Sequence, residues 1–373
     1  MSRSLFCDLH IHSCFSIASS SRMLPDCLIE GCRKKGIGIL GSGDALHEGW
    51  RALWKATLAD DKVLVVPTAE VEDRDRVHHL IILDSFERFE DLASELAPHA
   101  KNLAETGRPH VRIPGSEIAG MVHDLAGLMG PAHAFTPWTS LYAAFDRISG
   151  CYRDERPDFL ELGLSADSRY GAGISELDGI PFLSNSDAHS PDPAKLGREF
   201  TEITIREVSV RGVMESIRGG NITMNAGFFP EEGKYNRTAC TRCFQQYSPA
   251  SAEAVQWRCP DDRGTIKKGV YDRALELADA PPAPRPPYLH IIPLAEIIRH
   301  VLDCASVRTR ACTRLYDKCV AVGGDEIQVL TALPIGDLAA VDPKVAHAID
   351  SFRSGRVTLS PGGGGRYGSF SFL

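Results

Sequence analysis

The stretch Cys7-Asp8-Leu9-His10-Ile11-His12-Ser13 puts two imidazoles one residue apart, just after the short apolar run Ser4-Leu5-Phe6. Side chains alternate faces along a strand, so positions two apart share a face and stand about 6.6 Å apart along the chain. His10 and His12 therefore project to one side, and Leu9 and Ile11 to the other. Two imidazoles on one side of a strand end can reach one cation. The competing reading is a pair of ordinary polar residues leaving a sheet.

Further His and acidic residues recur where other apolar runs end. Asp44 and His47 close GSGDALH, Glu70 follows VVPTA, His78 and His79 open HHLIIL, His133 lies in GPAHAF, and Asp187 and His189 close SNSDAH. Singly, each has an ordinary role: Asp44 as a helix cap, His133 as a satisfied core residue. Together they outnumber the ligands of one ion. Imidazole and carboxylate suit Zn²⁺, Mn²⁺ or Fe²⁺, and the set predicts two or three ions with carboxylates such as Glu70 bridging.

The elements that must position these residues are short apolar strands alternating with amphipathic helices over residues 1–230, including PDCLIEGCRKK and a helix over 89–105. This is the pattern of an α/β layer or barrel, where chemistry collects at the carboxyl ends of strands. Residues 231–270 form a short polar unit bearing Cys240, Cys243 and Cys259. After the Pro-rich DAPPAPRPPY, residues 285–373 read as a helical region with a Gly-rich tail, PGGGGRYG. That tail either brings backbone N–H groups to phosphates or stays flexible.

Bulk properties narrow the classes. The chain has 373 residues, 43% of them hydrophobic, enough for two or three domains with real cores. No run of 18 apolar residues predicts a membrane span, and MSRSLFCDLH reads as neither signal nor transit peptide. Eleven cysteines without a disulfide rhythm suggest a reducing cytoplasm. Residues 1–230 carry 23 Lys+Arg against 33 Asp+Glu, and residues 231–373 carry 18 against 16. An acidic, His-rich first part fits cation binding, and a weakly basic second part is compatible with a phosphate backbone.

The ordered series HIH, GD with His three on, Glu after a buried strand, HLIIL, AH and SDAH resembles the PHP (polymerase and histidinol phosphatase) superfamily. That resemblance implies a distorted (β/α)7 barrel with a trinuclear site for phosphoester hydrolysis over residues 1–230. Carried over by motif, His10 and His12 hold one ion, Glu70 bridges, and His79 with His133 hold the second. His79 is preferred to His78 on the family's spacing. Asp187 returns to the first ion, while Asp44, His47 and His189 serve the third.

DLHIHSCFSIASS, VHHLIIL, ELGLSAD, the cysteine unit, KKGVYDRALELA, RPPYLHIIPLAEII and PGGGGRYG together resemble the endonuclease Q family across nearly the whole chain. This implies a DNA repair enzyme nicking on the 5′ side of deaminated bases (uracil, hypoxanthine, xanthine) or abasic sites, leaving a 3′-hydroxyl and a 5′-phosphate. Its cofactors would be two or three divalent ions (Zn, Mn, Fe or Mg) and one structural Zn. Its partner would be double- or single-stranded DNA with a damaged base, with no membrane. Asp187, His189 and Glu70 are the catalytic candidates. The family's four-cysteine zinc site departs here to Cys240, Cys243, Cys259 and Asp262; Asp can ligate zinc. The C-terminus shows no sliding-clamp peptide.

Uracil and hypoxanthine share an acceptor beside a ring N–H, the reverse of cytosine and adenine. A reader needs one fixed donor and one fixed acceptor, and an extruded base to read. ELGLSAD offers Glu161 as acceptor, Leu164 and Ser165 amides as donors, and Gly163 for close approach. It also reads as an ordinary strand-to-helix loop. Two other functions compete: a PHP phosphatase of a small phosphorylated metabolite, and a non-catalytic DNA-binding PHP protein. The cysteine unit and the region beyond the barrel argue against the first, and the full ligand series against the second.

Overall fold

The computed structural model describes residues 2–57, 60, 62–101 and 103–373. Ten strands build the first part: β1 (Arg3–Asp8), β2 (Ile39–Gly41), β3 (Leu64–Val66), β4 (Thr68–Glu72), β5 (His78–Ile82), β6 (Leu128–Pro131), β7 (Leu160–Glu161), β8 (Phe182–Leu183), β9 (Phe200–Ile205) and β10 (Ile222–Gly227). β1, β2 and β3 run parallel, and β9 and β10 add antiparallel on the other side of β1. β4, β5 and β6 form an antiparallel meander, and β7 pairs with β8 in parallel. Ile11 bridges Ala188 in parallel, tying the end of β1 to the chain beyond β8. The meander and the antiparallel β9 and β10 are the distortion of the expected α/β barrel. Leu9, Ile39, Val66, Leu80, Leu128, Phe159 and Leu183 pack together as one buried cluster.

The helix Pro25–Lys35 shows why PDCLIEGCRKK folds locally. Pro25 opens it, Asp26 sits in the first turn, three cations close the last, and Gly36 takes φ 91° at the cap. The helix expected over 89–105 instead runs Phe86–Leu96 and tightens into a 3₁₀ turn at Ala97–His99. Pro98 removes a backbone donor there; Asn102 lies outside the described residues.

The cysteine unit is a small hairpin, β11 (Ala239–Cys240) with β12 (Ile266–Lys267), around Cys240, Ala252, Cys259 and Ile266. The C-terminal region is less separate than its sequence suggests. β13 (Tyr288–His290) extends the barrel sheet beside β10. Helices Leu294–Val301, Arg310–Gly323 and Pro343–Arg353 then share one core with Leu28, Cys32 and Trp50 of the barrel. The Gly-rich tail is a docked loop between β14 (Val357–Ser360) and β15 (Ser369–Phe372). Arg237 N–H donates to the Gly362 carbonyl at 2.9 Å and Gly365 N–H to the Lys234 carbonyl at 2.9 Å. A Cβ at Gly364, which has φ +65°, would collide with the Cys240 carbonyl.

One buried ion pair bolts barrel to helices. Lys35 Nζ lies 2.7 Å from Glu326 Oε1, with side chains 3% and 1% exposed. Glu326 also accepts from the Leu294 amide at 3.0 Å and the Tyr316 hydroxyl at 2.7 Å. Glu326→Ala leaves the lysine buried without its counter-charge and is expected to cost about 3–5 kcal/mol. Lys34→Ala, at an exposed pair, should cost about 1 kcal/mol or less. Denaturant unfolding of both variants makes the comparison.

Candidate metal centre

Strand register decides which side chains meet. Glu70 stands in the middle of β4 and is 2% exposed. Across the ladder, His78 pairs with Glu72 and His79 with Val71. Paired residues share a face and alternate positions share it too, so His78 faces Glu70 and His79 faces away. His78 Nδ1 lies 2.8 Å from Glu70 Oε1, and His133 Nε2 lies 3.0 Å from the same oxygen. This corrects the expectation for His79. It is fully buried on the other side, with Nδ1 at 2.8 Å from the Tyr152 hydroxyl and Nε2 at 3.2 Å from Asp73.

His10 and His12 enter from the end of β1 with their rings already oriented. His10 Nδ1 donates to the Glu161 carboxylate at 2.9 Å, and His12 Nδ1 to Asp44 Oδ1 at 3.1 Å. Each carboxylate fixes the tautomer and leaves the Nε2 lone pair for a cation. His12 Nε2 lies 3.1 Å from Asp187 Oδ1 and 3.3 Å from Glu70 Oε2, and His10 Nε2 3.6 Å from Glu70 Oε1. Yet His10 Nε2, His12 Nε2, His133 Nδ1 and Asp187 Oδ1 are buried without a hydrogen-bond partner among the described residues. Orphaned ligand atoms converging around carboxylates are what a divalent cation satisfies. His10, His12 and Glu70 form one such group; His12, Asp187 and His189 a second; Glu70, His78 and His133 a third.

Of the residues expected on a third ion, only His189 joins a group. Asp44 is turned toward protein, accepting from the Ser13 amide at 2.6 Å and the Ser16 hydroxyl at 2.8 Å. His47 caps the helix Glu48–Ala56, accepting from the Trp50 amide at 3.2 Å, and stacks on Phe15. Asp44, His133 and Asp187 all take positive φ, at 48°, 33° and 46°. These are backbone turns that aim side chains inward at strand ends.

The charges are mutually supporting. Burial pushes His10 down, but Glu161 and Glu70 outweigh it and hold it well above the usual imidazole range. Burial likewise opposes His12, and Asp44 with Asp187 overcomes it. Burial raises Glu70, while His78 and His10 drive it well below the carboxylate range. His189 is held below its usual value by burial and by His12; its Nδ1 donates to the Asp187 carbonyl at 3.0 Å, so Nε2 keeps a free lone pair.

The centre floors a cavity of about 460 Å³, with His78, His133, Asp187 and His189 in its wall. Leu164, Ser165 and Gly163 line it as expected for a loop at the rim. Glu161 does not serve as a base reader. Both oxygens are spent on His10, on the Asn185 side-chain amide at 2.8 Å and on the His133 backbone N–H at 2.8 Å. Gly163 is required, at φ +80°, because a Cβ would lie 2.7 Å from that of His133.

Sequence reasoning missed Arg108, whose guanidinium lies 3.1 Å from Glu70 Oε2; a lone arginine in a loop carries no signal. It also missed the rim. Trp138 is 50% exposed, sits edge-on to Tyr235 at 6.2 Å, and carries Lys267 Nζ 3.9 Å above its ring. Away from the centre, ligand atoms of Cys240, Cys243, Cys259 and Asp262 all lie within 4.8 Å of one another. Asp262 Oδ1 is 3.3 Å from Cys240 Sγ, and Cys243 and Cys259 sulfurs are 3.6 Å apart. Three thiols and one carboxylate at such spacing fit a tetrahedral zinc.

At the strand ends of this α/β barrel, His and carboxylate side chains converge in groups able to hold metal ions. The family profile described as the MJ0043 C-terminal domain matches residues 293–356. The chain is 42% identical to the lesion-specific endonuclease Q of Pyrococcus furiosus, whose crystal structure superposes with a TM-score of 0.92 over 99% of this chain and 96% of that one. A crystal structure of endonuclease Q with a 27-mer duplex carrying an abasic lesion at the active site gives 41% identity and a TM-score of 0.94, over 100% and 97% of the two chains. Protein YqxK of Bacillus subtilis is 31% identical over 98% of this chain and 99% of its own length. MJ0043 of Methanocaldococcus jannaschii is 41% identical over 281 residues, 71% of this chain; the match spans only 36% of that longer protein. The chain belongs to the endonuclease Q family.

His78→Ala should lower the divalent metal retained by the barrel, whereas His79→Ala should keep the metal and lower thermal stability. Elemental analysis with a melting curve on both proteins separates the roles, and equal metal loss would contradict the assigned faces.

Proposed function

We propose that this protein is a metal-dependent DNA repair endonuclease that nicks the phosphodiester 5′ to deaminated bases or abasic sites, leaving a 3′-hydroxyl and a 5′-phosphate. The observation that carries this reading is the convergence of orphaned ligand atoms around Glu70 beneath a cleft rimmed by Trp138, Tyr235 and Lys234. Aromatic faces interleaved with cations suit stacked bases and phosphates, and a small phosphorylated metabolite has no use for them.

His10, His12, Glu70, His78, His133, Asp187 and His189 are the residues that would hold divalent ions. Such ions, when bound, supply Lewis acidity toward a phosphate oxygen and water of lowered pKa. The chain's own groups do the rest. Glu161 and Asp44 hold the two imidazoles in one tautomer and orientation. Arg108, its side chain 30% exposed, offers a fixed cation beside the position of the scissile phosphate. The Asp187 carbonyl takes the Nδ1 proton of His189 and so leaves its Nε2 lone pair for a cation at the cleft. Lys234 and Lys267 stand beside Tyr235 and Trp138 to meet neighbouring phosphates. The zinc-type unit places Lys267 there, because β12 carries that residue.

Asp187→Asn should lower nicking of a uracil or abasic duplex by about 10²-fold or more. Duplex binding should persist. Wild-type rates in metal-replete mutant protein would contradict the assignment. In the small unit, Cys259→Ser should remove about one zinc per chain, measured by elemental analysis of the full protein. The metal in the barrel should remain.

A further inference from the structure

A loop with an apolar tip stands beside the metal cleft. Residues 13–20 leave the end of β1 and are pinned along their length. The Ser16 hydroxyl donates to Asp44 at 2.8 Å, the Gly107 amide to the Phe15 carbonyl at 3.2 Å, and the Ser20 amide to the His189 carbonyl at 2.8 Å. The Phe15 ring stacks on His47 with centroids 4.0 Å apart. Between these fixed points Ile17 is 79% exposed, and it belongs to none of the apolar clusters among the described residues. The next residue, Ala18, takes φ 63° and lines the metal cleft.

A single exposed isoleucine is ordinary on a protein surface. Here the backbone is strained where it holds one out. Alanine has no polar side chain to favour the left-handed region, and a strained residue at the wall of a functional cleft points to a constraint beyond packing. The turn leaves Ala18 against the cleft and Ile17 in solvent at its mouth.

We propose that Ile17 is a wedge: its side chain enters the base stack of the duplex beside the lesion and holds open the gap left when the damaged nucleotide is extruded. The inference rests on the endonuclease reading above. With the phosphate 5′ to the lesion at the metal centre, the duplex lies across the cleft mouth and its stacked bases face a residue on the rim. An apolar side chain placed between base steps covers the faces that the departing nucleotide uncovers. Without it those faces meet water, and the base returns to the stack more readily. The wedge carries no charge, so it contributes to extrusion and not to the salt-dependent grip on phosphates. Because the loop is already pinned, its tip loses little conformational freedom on insertion. The same pins tie it to the metal centre, through Ser20 to His189 and through Ser16 to the carboxylate that orients His12.

The test is single-turnover nicking by wild type, Ile17→Ala and Ile17→Met of one uracil oligonucleotide, presented in a U·A pair, in a U·G mismatch and as a single strand. The cost of extrusion falls along that series. Ile17→Ala is expected to lose about 10-fold or more on the U·A duplex and less on the mismatch, and to stay within about twofold on the single strand. Ile17→Met keeps a long apolar side chain and should restore most of the duplex rate. A second readout needs no cleavage. In an Asp187→Asn background, 2-aminopurine next to the uracil should brighten on binding as its stack opens, and adding Ile17→Ala should abolish that rise. Equal U·A rates for Ile17→Ala and wild type would overturn the wedge. So would a loss of the same size on every substrate that the wild type cuts, which marks a role in shaping the metal site. Wild-type protein that nicks none of the three would overturn the endonuclease reading itself, and the wedge with it.

Discussion

The carboxylate of Glu70 is the constraint around which the molecule is arranged. It sits in the barrel interior, 2% exposed, with His10, His12, His78, His133 and Arg108 converging on its two oxygens. A buried carboxylate is tolerable only if opposite charge and hydrogen bonds replace its water. The same demand draws donors from the ends of β1, β5 and β6 and from the loop bearing Arg108. The barrel is thereby closed by polar convergence at one end and by aliphatic packing along the rest of its axis.

Holding the ligands costs the backbone something. Asp44, His133 and Asp187 sit at positive φ, where a non-glycine residue costs on the order of 1–3 kcal/mol. Asp and His are among the side chains that tolerate that region best, and each sits where a strand must stop and turn its next side chain inward. Glu161 and Asp44 form a further layer. Their oxygens hold imidazole Nδ1 atoms, and so they decide which nitrogen of His10 and His12 is free.

The parts beyond the barrel act through it. The Gly-rich loop fits against the entrance to the cysteine unit because its backbone approaches Lys234, Arg237 and Cys240 more closely than any side chain would allow. That docking brings Tyr367 to the wall of the metal cleft. The Lys35–Glu326 pair and the common apolar core fix the C-terminal helices against the barrel.

Much of the site was legible in the sequence because its signals are local. HxH, an acid closing a buried run and the SDAH turn are consequences of two-residue alternation and of strand ends. The structure brings His10, His12, Glu70, His133, Asp187 and His189 together. The α/β pattern was legible for the same reason. What tertiary structure decided depends on pairing that no local pattern encodes. His78 and His79 are adjacent in sequence, and only the register of β4 against β5 tells which one faces Glu70. Glu161 is 151 residues from His10, so its role as the orienting partner, rather than a base reader, needed the barrel to close. Asp44 and His47 share one motif but part company, because one turns to His12 and the other caps a helix. Arg108 carries no motif at all. Its chemistry comes from its contact with the buried Glu70, and that contact is a property of the folded chain.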